Sequence, residues 1–136
     1  MKVHSTNYYN TFIEVAEDTK ATGGTVPPVK DKRTVAEMQF QLIDKNPYVF
    51  TSDDVLFKVF AERSELREDE YEEARAHFFA KGQACLRASP LSKTYGFGIH
   101  ADKDGRIALV GMETEEYQRF LSDNSVKKVK AMKSAR

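Results

Sequence analysis

The sequence predicts an α+β domain, with a small antiparallel sheet, a C-terminal β-hairpin and three or four covering helices. Three observations carry this. Phe97–His100 and Ile107–Val110 flank Asp102-Lys103-Asp104-Gly105, whose Asp-Gly step supplies the positive φ of a hairpin turn. Helix starts are marked by Thr34-Val35-Ala36-Glu37 and by Thr51 or Ser52 ahead of Asp53-Asp54. Near the beginning, Thr11–Ala16 is rich in aromatic and β-branched residues and ends at Glu17-Asp18, as a short strand does.

The elements follow in order. After the first strand, residues 19–33 hold Gly23-Gly24 and Pro27-Pro28 and read as a loop or mobile arm. The capping box at Thr34 and Glu37 opens a helix with Val35, Met38 and Leu42 on one stripe and Phe40 and Ile43 beside it; Asn46-Pro47 stops it. Residues 55–61 are apolar except for Lys58 and could be a buried strand, but the cap before them favours a helix with Val55, Leu56, Val59 and Phe60 facing the core. Arg67–Ala80 reads as a helix with Tyr71, Ala74, Phe78 and Phe79 as its stripe, closed by Gly82 in a left-handed conformation. Ala84–Ala88 is a candidate strand, and Ser89-Pro90 begins a loop to Gly96. Thr114-Glu115-Glu116 opens a last helix with Tyr117, Phe120 and Leu121 on one face. One domain over residues 1–126 and a basic tail over 127–136 complete the reading.

At 136 residues the chain is long enough for one core, and 40% hydrophobic with 31% charged residues is the balance of a soluble globular protein. The 21 Lys and Arg match 21 Asp and Glu, so no global field draws the chain to nucleic acid or an anionic membrane. A single cysteine excludes an intramolecular disulfide and a cysteine-based zinc site, and suggests a reducing compartment. No apolar run approaches the length of a membrane span, and Met1–Asn7 lacks the apolar region of a signal peptide, so the expected location is cytoplasmic.

Chemistry-bearing residues concentrate between Lys81 and Val110. Arg87, Ser89, Lys93 and Tyr95 put two cations, a hydroxyl and a phenol on or beside one loop, a donor set suited to a carboxylate or phosphate, with His100 as a titratable neighbour. The competing reading is a solvated loop in which Ser89-Pro90 makes a turn and Arg87 pairs with a helix acid. Cys85 beside Arg87 and near His100 is a weak nucleophile candidate, because a lone cysteine among Ala84, Leu86 and Ala88 suits packing. The three histidines are too scattered for a metal site, Asp102-Lys103-Asp104-Gly105 lacks the further ligands of a calcium loop, and no cofactor motif is present. Asp53-Asp54 and Glu113-Glu115-Glu116 are explained by helix starts. Lys127, Lys128, Lys130, Lys133 and Arg136 form a basic run that could meet nucleic-acid phosphates, without the aromatic or recognition-helix pattern that usually accompanies such binding.

The runs Asn10–Ala16, Thr51–Phe57, Lys81–Leu91 and Tyr95–His100 resemble a family of small bacterial proteins of unknown function, and the likeness spans nearly the whole chain. The resemblance implies a bacterial, cytoplasmic setting and supplies no reaction or catalytic residue. The expected function is therefore binding of a small anionic ligand or a protein partner through residues 87–100. An enzyme using Cys85 or His100 and nucleic-acid binding through the tail are the alternatives.

Overall fold

A computed structural model describes residues 3–134. Strands β1 (Thr11–Glu14), β2 (Phe97–Ala101), β3 (Ile107–Gly111) and β4 (Lys127–Lys130) form one sheet in the order β3-β2-β1-β4. The expected α+β class is present, and β1, β2 and β3 pair antiparallel, with Phe12 opposite His100 and Ile99 opposite Leu109. The sheet as a whole is mixed, because Lys127–Lys130 of the expected tail adds to β1 in parallel. Its sequence signal is weak: only Val129 is apolar in four residues, and a Lys-rich edge strand is read more easily as a solvated charge run. Arg136 lies outside the described residues.

Helices α1 (Val35–Asp44), α2 (Ser52–Arg63), α3 (Tyr71–Phe79), α4 (Pro90–Lys93) and α5 (Glu115–Ser122) flank the sheet. Thr34 caps α1 by accepting from the Glu37 amide at 3.2 Å. Only half of the expected box forms, since the Glu37 carboxylate turns to the Lys30 amide and to Arg33. At α2 the box is complete between Thr51 and Asp54, and residues 55–61 are helical. Asp53, beside it, accepts from the Thr6 amide and hydroxyl at 2.7 Å and from Ser5 at 2.8 Å, which pins the N-terminal segment onto the start of α2.

Two elements differ further from expectation. Ala84–Ala88 is no strand: Leu86–Ala88 makes a single 3-10 turn that drives Leu86 into the core, and Ser89 then caps α4 with Pro90 in its first position. Arg67–Ala80 divides into a 3-10 turn over Glu68–Glu70 and α3, which ends at Phe79 without the left-handed Gly82. Positive φ occurs instead at Gly105, in the hairpin turn, and at Gly96, where a side chain would collide with the Gly23 carbonyl of the crossing 19–33 segment. That segment is irregular yet tied down. Thr25 donates to the Tyr95 carbonyl at 2.8 Å, Gly24 to Glu113 at 2.8 Å, and Pro27 is buried.

Side-chain alternation divides the core between the two faces of the sheet. Ile13, Ile99, Ala101 and Ile107 meet Ile43, Val55, Leu86 and Leu91 on the face covered by α1, α2 and α4. Phe12, Val110 and Val126 meet Tyr117, with Phe120 and Leu121, on the face covered by α5. A satellite cluster of Phe57, Ala61 and Phe79 joins α2 to α3.

Candidate functional site

The residues singled out between Cys85 and His100 fall on opposite faces of the sheet. Ser89 is 3% exposed; its hydroxyl accepts from the Leu91 amide and donates to Gln39 Oε1 at 2.6 Å. Arg87 clips the edge strand, its Nε donating to the Lys130 carbonyl at 2.6 Å and its own carbonyl accepting from Met132 at 2.8 Å. Cys85 Sγ lies 3.4 Å from the Tyr8 hydroxyl. Burial and then the thiol raise the Tyr8 pKa, while Arg87 opposes them. Lys93 ends α4, and Tyr95 packs half-buried against the same core.

His100 shares the α5 face with Phe12, its cross-strand partner. Its Nδ1 is 2.8 Å from the Tyr48 hydroxyl, and its ring stacks on Phe120 at 4.1 Å. Burial lowers the imidazole pKa, against the pull of Asp102, Glu116 and Asp123. Tyr48 sits at φ 58, a conformation uncommon outside glycine. Leu86, next to Cys85, is in the opposite core, so the Cys85–His100 pair does not assemble.

The basic run is largely engaged within the chain. Lys130 and Lys133 both reach Glu17, at 3.0 and 3.5 Å, and Lys128 Nζ donates to the carbonyls of Asp123 and Val126.

A wide concavity lies elsewhere. A cleft of about 930 Å³ opens between α1, α2 and α3, floored by Met38, Leu56, Val59, Phe60 and Phe78. Of the α2 residues expected in the core, Val55 and Val59 are buried, Leu56 packs half-buried against it while lining the cleft, and Phe60 turns outward; Phe57 and Ala61 are buried as well. Arg33 closes one end, donating to both Glu62 oxygens at 2.7 and 2.8 Å and to Gln41 at 2.6 Å. Gln39 also lines the cleft although only 3% exposed. With Oε1 held by Ser89, its Nε2 has no partner among the described residues. A glutamine inside an apolar helical stripe was the available signal for this position, obscured because polar residues also fill solvent faces of helices.

A family model described as a family of unknown function, DUF6157, matches residues 3–136. The chain belongs to that family. No curated protein and no solved structure matches the DUF6157 chain. Among its described residues, no helix is long and apolar enough to cross a membrane, and no three or more His, Cys, Asp or Glu side chains are grouped to hold a metal ion.

Proposed function

We propose that this DUF6157 protein is a bacterial, cytoplasmic ligand-binding domain whose ligand occupies the cleft between α1, α2 and α3. The expected loop site at residues 87–100 enters this reading through one residue, Ser89, which orients Gln39. Arg87 is committed to the β4 edge, and His100 is on the far face of the sheet, which weighs against one anion site built from all five residues. The observation that carries the proposal is the Gln39 amide: a donor with no partner among the described residues, on a residue only 3% exposed, lining a cleft with an apolar floor. The amide opens onto the cleft, where it can donate to an acceptor on a bound molecule. The cleft volume is also in the range of small-molecule sites, roughly 300–1,000 Å³.

Backbone-amide shifts, recorded while mixtures of amphiphilic metabolites and cellular anions are added, test this. Saturable shifts across residues 35–39 and 56–64, lost in Gln39→Leu, are expected. Shifts confined to Arg87–Tyr95 would restore the loop site and refute the cleft.

A second reading rests on the Tyr48–His100 pair. An imidazole held at Nδ1 by a phenol has Nε2 available for proton transfer. Hydrolysis of a generic ester panel that disappears in both His100→Asn and Tyr48→Phe would favour it, and activity insensitive to either change would dismiss it.

A further inference from the structure

The charges around the cleft form two sets. Arg33 and Glu62 neutralise each other, and the remaining Arg33 contacts go to Gln41 and, at 3.6 Å, to Glu37, so this cluster is occupied by the protein itself. Asp31, Lys32, Arg63 and Glu65 also line the cleft and make no ion pair among the described residues. Two free cations and two free carboxylates therefore surround an apolar floor. A purely anionic ligand would meet the carboxylates as well as the cations, and a purely cationic one the reverse. A ligand carrying one charge of each sign satisfies both. The floor suits an apolar body between those charges, and the Gln39 Nε2 donor suits a carbonyl near its middle.

We infer that the cleft takes a short zwitterionic peptide, its bulky apolar side chains on Met38, Leu56, Phe60 and Phe78, its peptide carbonyl at Gln39 and its two termini at the mixed-charge rim. The inference rests on the cleft being the binding site and names the chemical class of its ligand. A surface-exposed charge contact contributes little alone, so apolar burial supplies affinity while the termini supply selectivity.

The test compares four probes by calorimetry and amide shifts: the dipeptide Leu-Phe, its N-acetyl form, its C-terminal amide and octanoate. Leu-Phe should bind saturably at the cleft, and each blocked form should bind several-fold more weakly. Glu65→Gly is the companion variant. Glu65 holds φ 53, where glycine is less strained, so the substitution removes a rim carboxylate without endangering the fold. It should weaken Leu-Phe and leave the C-terminal amide and N-acetyl forms in the same order. Equal binding of free and blocked dipeptides, or tighter binding of octanoate at the same amides, overturns the zwitterion and leaves the cleft standing. No cleft shift with any of the four probes, together with shifts elsewhere from other ligands, overturns both.

Discussion

On the α5 side of the sheet, Phe12 has no exposed surface, stacks on Phe120 at 5.1 Å and meets the edge of Tyr117 at 5.0 Å, and the Tyr117 hydroxyl accepts from the Val15 amide at 3.0 Å. On the other side, α1 and α2 bury Ile43 and Val55 against the strands but leave Phe60 38% exposed over the cleft. One short helix seals a flat sheet face because its aromatic side chains reach into it. Several helices packing on one another leave apolar surface over, and the surplus is where a ligand fits.

Paired truncations offer the strongest challenge to this contrast. Phe12→Ala should lower unfolding free energy by about 3–5 kcal/mol, the usual loss for a buried aromatic, whereas Phe60→Ala should lose only about 1 kcal/mol because much of the ring already meets water. Similar losses in chemical denaturation would mean the cleft is packed as tightly as the α5 side. Overpacking gives the next largest effect. A Cβ at Gly98 would come within 2.5 Å of the Phe12 ring and 2.8 Å of Tyr117, so Gly98→Ala should cost about 1–3 kcal/mol, and a neutral result would reveal slack under α5.

Ser89→Ala removes the α4 cap and strands the Gln39 carbonyl, for an expected loss of about 1–2 kcal/mol. Its sharper signature is a shift of the Gln39 side-chain amide resonances; unmoved resonances would detach Ser89 from the cleft. The smallest effect belongs to His100. Folding lowers its pKa, so the unfolded chain binds the proton more tightly. The histidine contribution is full above the ordinary value of 6.5 and is lost as pH falls through it toward the lower folded value. His100→Asn should flatten stability in that window, and an unchanged pH profile would assign the dependence to other groups.

Much of this architecture is written in local chemistry. The Asp102–Gly105 turn, the Thr51 cap and the Phe12 strand each depend on neighbours within a few residues, and each is legible in order along the chain. The parallel pairing of Lys127–Lys130 and the turn at Leu86–Ala88 depend on what lies beside them in space, and the sequence there reads as a charged tail and a strand. The candidate site divides in the same way. Ser89 was visible as a polar residue near a turn, but its partner Gln39 is fifty residues away on another helix. Leu56 and Phe60 have the composition of core residues, and their place beside the cleft follows from how α2 packs on α1 and α3.

The central strand also sets a schedule. β1 is made before both of the strands that hydrogen-bond its two edges, β2 and β4, with α1 to α4 made between β1 and β2. As the protein leaves the ribosome, Phe12 and Ile13 therefore emerge well before their cross-strand partners, and closing the sheet demands long loops. Until Lys127–Lys130 emerges, one edge of β1 keeps its backbone hydrogen-bonding groups unpaired, the kind of open edge through which chains associate wrongly.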